Sequence, residues 1–346
     1  MTKLPSPFSI KANCPLSSSA KDFIEERRAI SRQILIKKIS KLALIIGPCS
    51  IHNYKEAIEY AMRLKELSDQ VQDQFFVIMR VFVEKPRTKT GWKGFIYDPL
   101  LDGSYQTEKG IALTRKLLLE LAEMGVPTAT ELVDPLFTPY LEDLITWGFI
   151  GARTSASPIH RQLASGLTFP IGFKNSVDGN IELALDGVES ASTPHSHIGI
   201  DNDGRITKIS TSGNPFCHLV LRGSDQTTNF DPISMEGIIT EMKERGQERL
   251  LVDCSHGNSR KIAEKQTISF TSVIEQVANG NEAIMGLMVE SYLQTGKQLL
   301  KQKLLPGVSV TDSCLGWEET EKLILSGYEL LSSEKKKLAG ITGYTG

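Results

Sequence analysis

The chain has 346 residues, of which 40% are hydrophobic and 23% charged, and its formal net charge is −2. This is the composition of a globular protein with a large core, and a pI of about 6.3 excludes the basic surface typical of nucleic-acid-binding proteins. The apolar runs are too short to span a membrane, and residues 1–9 lack the apolar stretch of a signal peptide. Five cysteines without C-x-x-C spacing favour a reducing compartment, so we expect a cytoplasmic protein.

Residues 1–40 precede the first predicted strand and form an N-terminal arm, which we separate from the main unit at residues 41–346. The arm contains a charged helix from Ala20 to about Lys38, and Ser19 with Asp22 predicts a capping box at its start. Such an arm could cover one end of the following domain, mediate oligomer contacts or help to form an effector site. A solvated extension is the alternative.

Short apolar runs and longer segments of helical period alternate through the rest of the chain. The predicted strands are residues 43–46, 75–81, 128–132, 149–152, 170–173, 218–221, 250–252 and 284–289, and the clearest helices are 54–68, 107–124, 138–146, 234–245, 262–279 and 318–332. Eight such alternations predict an α/β protein with a (β/α)8 TIM barrel. A doubly wound sheet is the rival, but no G-x-G-x-x-G follows the first strand. Residues 197–212 predict an inserted β-hairpin with an Asp-Gly turn.

Polar residues stand at or just after the end of every predicted strand. In chain order they are Cys49, Arg80, Lys85, Arg87, Glu131, Arg153, Lys174, Arg222, His256 and Glu290. In a TIM barrel the carboxyl ends of all strands meet at one face, where the chemistry occurs. We therefore expect these side chains to share one barrel mouth.

Three of these polar positions carry groups that bind divalent metals: Cys49, His256 and Glu290. A fourth such group, Asp312, follows the last strand. Each alone is more often a structural residue, but together they favour a metal site. A thiolate, an imidazole and two carboxylates fit a borderline ion such as Mn²⁺, Fe²⁺, Co²⁺ or Zn²⁺ better than a four-thiolate zinc site or an all-oxygen magnesium cage.

The cations at the same strand ends indicate anionic ligands. Burying several like charges in one pocket is costly unless anions neutralise them, and arginine binds phosphate and carboxylate through two parallel hydrogen bonds. Ion pairing to Glu84, Glu131 and Asp134 is the alternative explanation.

As an ordered set, these motifs resemble type I (α) 3-deoxy-D-arabino-heptulosonate 7-phosphate synthases, the first enzymes of the shikimate pathway. The resemblance covers about residues 42–317 and rests on I-G-P-C-S-I-H (46–52), E-K-P-R-T (84–88), G-W-K-G (91–94), G-A-R-T (151–154), H-R-Q-L-A-S-G (160–166), G-F-K-N (172–175), L-R-G (221–223), D-C-S-H-G-N-S (253–259), M-V-E-S (288–291) and T-D-S-C-L-G-W (311–317). It implies a TIM-barrel enzyme that condenses phosphoenolpyruvate with erythrose 4-phosphate. It also implies one divalent metal, with Mn²⁺ favoured.

The resemblance also implies a role for each matching residue. The metal ligands would be Cys49, His256, Glu290 and Asp312, and the catalytic residues Lys85, Glu131, Lys174 and His256. Phosphoenolpyruvate would contact Arg80, Lys85, Gly151, Ala152, Arg153, Lys174 and Arg222, and erythrose 4-phosphate would contact Lys85, Pro86, Arg87 and Thr88. Family members use an N-terminal arm for feedback inhibition by an aromatic amino acid, so we expect an effector of that class and a homodimer or homotetramer. The sequence does not choose among Tyr, Phe and Trp.

Three rivals stay open at this point. A related enzyme could condense phosphoenolpyruvate with arabinose 5-phosphate, although K-P-R-T followed by G-W-K-G favours the four-carbon sugar. Lys174 could instead form a Schiff base, as in metal-independent aldolases. A non-catalytic amino-acid sensor on the same fold is the third. The loop Ser176-Val177-Asp178-Gly179 departs from the G-T-D-G of many relatives.

Overall fold

A closed barrel of eight parallel strands forms the centre of the protein, in the spatial order β1-β10-β9-β8-β5-β4-β3-β2. The computed structural model describes residues 2–87, 89–300 and 303–342, with side chains described as far as residue 334. The barrel strands are β1 (Leu42–Gly47), β2 (Phe75–Arg80), β3 (Thr128–Glu131), β4 (Trp147–Ile150), β5 (Ile171–Lys174), β8 (Cys217–Leu221), β9 (Leu250–Asp253) and β10 (Ile284–Glu290). The predicted (β/α)8 barrel is therefore confirmed.

Helices surround the barrel and connect its strands. They are α1 (Pro7–Asn13), α2 (Ser18–Leu35), α3 (Tyr54–Val71), α4 (Thr107–Glu123), α5 (Thr138–Leu141), α6 (Pro158–Ser165), α7 (Glu182–Ala191), α8 (Pro232–Glu244), α9 (Gln266–Ala278) and α10 (Trp317–Thr342). No described helix combines the length and the apolar surface that crossing a bilayer requires.

Both faces of the barrel strands are buried, which explains why their sequences are continuously apolar. In β1, Leu44 and Ile46 pack outward against the helices, whereas Ala43 and Ile45 belong to a second cluster that fills the barrel. Trp147 of β4 contributes to the same interior cluster. Successive side chains of a strand point to opposite faces, so each strand contributes both to the interior of the barrel and to the layer between the barrel and the helices.

The N-terminal arm packs onto the barrel. Ile34 of α2 is fully buried and belongs to the cluster inside the barrel, together with Phe76 and Met285. Arg28 donates a 2.9 Å hydrogen bond to the carbonyl of Ile145, just before β4. Of the possibilities for the arm, these contacts favour the covering of a barrel end over a solvated extension; the division at residue 40 stays a prediction.

The inserted hairpin is present before the sixth barrel strand. It consists of β6 (Ser196–Ile200) and β7 (Ile206–Ser210), which pair antiparallel with Ile200 opposite Ile206. Asp201 Oδ1 accepts the backbone N–H groups of Asp203 and Arg205, and Gly204 has a φ of +77°, so the Asp-Gly pair lies in a five-residue connection.

Three local predictions were wrong in detail. The helix expected at residues 138–146 is α-helical only over α5, because the chain must turn back within a few residues to start β4 at Trp147. That start also places β4 two residues earlier than the expected 149–152. The N-cap of α2 is Ser17, whose hydroxyl accepts the N–H of Ala20, and not Ser19. The short helix α1, capped by Ser6, was not predicted.

Candidate active site

Three of the four predicted metal ligands meet at the carboxyl end of the barrel. The ligating atoms of Cys49, Glu290 and Asp312 all lie within 4.8 Å of one another. Cys49 follows β1 in a Gly-Pro-Cys turn, Glu290 is the last residue of β10, and Asp312 lies in the loop before α10. Cys49 and Glu290 are buried, whereas Asp312 is partly exposed, so the set is open to the mouth on one side.

His256, the fourth predicted ligand, lies beside this set. Its Nε2 is 3.8 Å from Glu290 Oε1. Its Nδ1 lies 2.9 Å from Asp253 Oδ2 and 2.7 Å from the hydroxyl of Ser255. Because those contacts occupy Nδ1, the nitrogen left for a metal is Nε2, and a carboxylate behind the ring is the usual support for a metal-binding histidine.

Backbone contacts hold two of these ligands in place. Gln266, at the start of α9, accepts the N–H of Glu290 at 2.8 Å and donates to its carbonyl at 2.9 Å. His256 has a φ of +54°, and the N–H of Lys261 donates to its carbonyl at 2.8 Å, closing a tight turn. A left-handed conformation at a non-glycine residue is costly and persists only where the surrounding structure enforces it.

Two of the predicted cations contact the metal-ligand set directly. Lys85 Nζ lies 3.2 Å from Cys49 Sγ and 3.1 Å from the Cys49 carbonyl. Arg80, at the end of β2, is fully buried, and its Nη2 donates to Glu290 Oε1 at 2.9 Å. The thiol and the glutamate therefore lie in a strongly cationic environment.

The other cations lie around the same mouth. Lys174 ends β5 and donates to Asp253 Oδ2 at 2.8 Å. Arg222 follows β8 and is buried; among the described residues no carboxylate lies within ion-pair distance of its guanidinium. Arg153 is exposed after β4. Pairing of these cations with Glu84, Glu131 or Asp134, the alternative raised by the sequence, does not occur among the described ion pairs.

The loop predicted to bind erythrose 4-phosphate is only partly described. Pro86 is half-buried, and Arg87 is exposed with its Nε donating to the Trp92 carbonyl at 2.9 Å. Thr88 lies outside the described residues. No described contact joins Arg87 to the metal-ligand set.

Glu131 ends β3 and lies directly against Gly151, which follows β4. A Cβ atom at position 151 would stand 2.2 Å from Glu131 Oε1, closer than any normal contact. Glycine is therefore required at position 151 if Glu131 is to keep its place. Gly151 and Glu131 are both buried, whereas Ala152 is partly exposed.

The charges around the site alter several pKa values. Burial alone would raise the pKa of Asp253, but the adjacent His256 and Lys174 hold it well below its usual range. Burial and the nearby Glu290 raise the pKa of the Cys49 thiol, and Lys85 and Arg80 act in the opposite direction. Burial lowers the pKa of Arg222. The Cys49 thiol thus depends on a cation, whether side chain or metal, to ionise.

Sequence reasoning missed Asp253, Ser255 and Gln266. Asp253 carries the same signal that identified Lys174 and Arg80, because it is a charged residue that closes an apolar strand. Ser255 lies in the quoted D-C-S-H-G-N-S motif. Gln266 gives no such signal, since a glutamine at a helix start is ordinarily solvated.

Comparison with known proteins identifies the family of this chain. The DAHP synthetase I family matches residues 17–325 of the chain. The chain belongs to this family.

Individual relatives match over nearly their full length. A putative phospho-2-dehydro-3-deoxyheptonate aldolase of Schizosaccharomyces pombe is 44% identical over 91% of this chain and 87% of its own length. The Tyr-sensitive and Trp-sensitive phospho-2-dehydro-3-deoxyheptonate aldolases of Escherichia coli K12 are each 42% identical, over 96% and 93% of this chain and over 94% and 93% of their own lengths. The solved structure of phospho-2-dehydro-3-deoxyheptonate aldolase from Francisella tularensis SCHU S4 is 40% identical, with a TM-score of 0.94 over 96% of this chain and 98% of that one.

Proposed function

We propose that this protein condenses phosphoenolpyruvate with D-erythrose 4-phosphate and water, giving 3-deoxy-D-arabino-heptulosonate 7-phosphate and inorganic phosphate, the first step of the shikimate pathway. The observation that carries the proposal is the clustering of Cys49, Glu290 and Asp312 at the barrel mouth, with Lys85 in contact with Cys49. A metal site and cations at one mouth suit two phosphorylated substrates. Family membership and relatives named phospho-2-dehydro-3-deoxyheptonate aldolase support the same reaction.

The residues present fit a single divalent ion. Cys49, Glu290 and Asp312 would hold it together with Nε2 of His256, a mixed set that accepts Mn²⁺, Fe²⁺, Co²⁺ or Zn²⁺. When bound, the ion would act as a Lewis acid toward the aldehyde carbonyl of erythrose 4-phosphate. We favour Mn²⁺ as the ion.

Fixed positive charges would bind and orient phosphoenolpyruvate. Arg153, Lys174 and Arg222 surround the mouth, with the Gly151–Ala152 backbone beside them and the buried Arg80 beneath, paired with Glu290. Arg222 lacks a carboxylate partner among the described residues, so its charge is available to a ligand phosphate or carboxylate. Preorganised charges of this kind stabilise developing charge without reorganising.

Two groups would handle the protons. C3 of phosphoenolpyruvate attacks the aldehyde carbon, and Lys85, beside Cys49, gives its proton to the aldehyde oxygen. Water then adds at C2, with Glu131 orienting it and accepting one of its protons. The new C2 hydroxyl gives its remaining proton to the departing phosphate as the C2–O bond to phosphate breaks, which leaves the C2 ketone and inorganic phosphate. Lys85, Pro86, Arg87 and Thr88 would receive the phosphate of erythrose 4-phosphate.

The ion pair between Lys174 and Asp253 supports this reading over a Schiff-base aldolase. Lys174 Nζ lies 2.8 Å from the buried Asp253 carboxylate, and this ion pair competes with the attack on a carbonyl that Schiff-base formation requires. Trapping with borohydride in the presence of substrate should therefore leave Lys174 unmodified.

The decisive experiment measures phosphoenolpyruvate loss on metal-stripped protein, with and without added Mn²⁺. Erythrose 4-phosphate and arabinose 5-phosphate are supplied in parallel reactions. We expect Mn²⁺-dependent loss with the four-carbon sugar alone. Loss with arabinose 5-phosphate alone, or no loss from folded and remetallated protein, would refute the proposal.

We also propose feedback inhibition by an aromatic amino acid in a homodimeric or homotetrameric enzyme. The arm contacts two other parts of the fold: Tyr140 of α5 donates to the Pro5 carbonyl at 2.7 Å, and the N–H of Phe8 donates to the Asn202 carbonyl between β6 and β7 at 2.7 Å. Relatives named Tyr-sensitive and Trp-sensitive are equally similar, so overall identity does not select the effector. Initial rates with Tyr, Phe and Trp added separately would identify it.

A further inference from the structure

Asp253 is shared by two parts of the site that have different tasks. It is the last residue of β9 and is fully buried. A single oxygen, Oδ2, accepts from Lys174 Nζ at 2.8 Å and lies 2.9 Å from His256 Nδ1. One carboxylate oxygen therefore contacts both a cation of the proposed anion site and a proposed metal ligand.

The second oxygen of the carboxylate is also restrained. Asp253 Oδ1 accepts from the Ser255 hydroxyl at 2.6 Å and from the Ser255 N–H at 3.1 Å. The same hydroxyl lies 2.7 Å from His256 Nδ1. Because Ser255 holds one oxygen, the carboxylate cannot rotate to follow Lys174 or His256 separately.

We propose that Asp253 is a positioning residue that fixes His256 for metal binding and couples the metal site to the anion site through Lys174. The proposal rests on the proposed function for the identity of the two ligands. A carboxylate on Nδ1 sets the imidazole tautomer and makes Nε2 a better metal ligand. Without a carboxylate at position 253, the ring keeps only the contact with the Ser255 hydroxyl on that side.

The coupling follows from the shared oxygen. In the free protein, Lys174 neutralises much of the charge on Asp253 Oδ2. A bound phosphoenolpyruvate shares the Lys174 ammonium, so that Asp253 interacts more strongly with His256 and the metal binds more tightly. Because binding free energies are linked reciprocally, the metal also tightens phosphoenolpyruvate binding by the same factor.

The test replaces Asp253 by Asn and measures binding without turnover. Metal-stripped protein is titrated with Co²⁺, followed by its thiolate absorption, with and without phosphoenolpyruvate, and phosphoenolpyruvate binding is measured by calorimetry. We expect Co²⁺ to bind about 10- to 100-fold more weakly, the usual effect of removing a partner behind a metal ligand. Phosphoenolpyruvate should bind several-fold more tightly, because a negative charge beside the anion site has been removed. Phosphoenolpyruvate should tighten Co²⁺ binding in the wild type but not in the variant.

The matched control is Asp98→Asn. Asp98 is also a buried aspartate, but its carboxylate accepts from the N–H of Gly103, away from Lys174 and His256. Its Co²⁺ affinity should equal that of the wild type. If Asp253→Asn does not fold, Ser255→Ala is tested in its place. We expect this variant to bind Co²⁺ several-fold more weakly and phosphoenolpyruvate with unchanged affinity.

Opposite effects on the two ligands separate positioning from general damage. A Co²⁺ affinity within threefold of the wild type, or a parallel loss of both affinities, would overturn the proposal. If phosphoenolpyruvate still tightens Co²⁺ binding in Asp253→Asn, the coupling between the two sites does not depend on Asp253, and that part of the proposal is overturned. Failure of the proposed function would instead appear as wild-type protein that binds both ligands yet consumes no phosphoenolpyruvate with erythrose 4-phosphate.

Discussion

The contact between Gly151 and Glu131 allows the role of Glu131 to be tested without changing Glu131 itself. In Gly151→Ala, the added Cβ would lie 2.2 Å from Glu131 Oε1, whereas ordinary van der Waals contact begins at 3.4 Å. The carboxyl must therefore move by about 1 Å. A displacement of that size at a catalytic group costs on the order of 100-fold in rate, or about 3 kcal/mol of activation free energy.

The assay is steady-state phosphate release at saturating concentrations of both substrates and metal. We expect Gly151→Ala to lower kcat by roughly 100-fold with little change in the KM for phosphoenolpyruvate. Glu131→Gln keeps the shape of the side chain but removes the proposed base, and should lower kcat by about 10²- to 10⁴-fold. In the Glu131→Gln background the alanine should have little further effect, because the group that it displaces no longer acts.

Gly237→Ala is the matched control, because Gly237 lies within α8 and a Cβ there would meet nothing within 4 Å. It should leave kcat unchanged. The reasoning fails if Gly151→Ala retains kcat within threefold, or if it lowers kcat by a further 100-fold in the Glu131→Gln background. It also fails if kcat and phosphoenolpyruvate affinity fall together, since Glu131 would then act in binding or structure.

Three further predictions concern stability and metal binding. Burial lowers the pKa of His218 to about 3, so the neutral imidazole favours the folded state. This contribution to the free energy of unfolding is complete above pH 6.5 and is lost as the pH falls toward 3. The free energy of unfolding, measured by urea titration, should therefore fall between pH 7 and pH 5 in the wild type. In His218→Gln this fall should be smaller by about 2 kcal/mol, and in the control His195→Gln it should match the wild type. An equal fall in His218→Gln and the wild type would contradict the prediction. Gln266→Met should weaken Co²⁺ binding and cost about 1–3 kcal/mol of stability, because it leaves a buried N–H of β10 without a partner; unchanged Co²⁺ affinity would count against that role. Ile34→Ala should lower the free energy of unfolding, measured by chemical denaturation, by about 2–4 kcal/mol. Ile36→Ala, at a 48% exposed site, should lower it by less than about 0.5 kcal/mol. Equal losses in the two variants would refute the packing of the arm against the barrel interior.

The barrel, and the strand ends at which Cys49, Glu290 and Lys174 lie, were predictable from the order of apolar and polar residues along the chain. Strands buried on both faces must be apolar throughout, so β1 and β10 stand out in the sequence as continuous runs. In a parallel barrel every strand ends at the same face, so a polar residue at a strand end is assigned to the mouth without knowledge of its partners. That reasoning identified Cys49, Glu290 and Lys174 correctly as residues of the mouth.

Only the tertiary structure decided which side chains are partners. Lys174 and Asp253 are 79 residues apart, and Gln266 and Glu290 are 24 apart. The insertion of Ile34 among the barrel-filling side chains likewise joins residues that no local pattern relates. Hydrophobic periodicity indicates which face of an element is buried, and the polar residues at strand ends indicate where the active site lies. Neither records a distance between elements, because that distance is determined by the packing of the whole barrel.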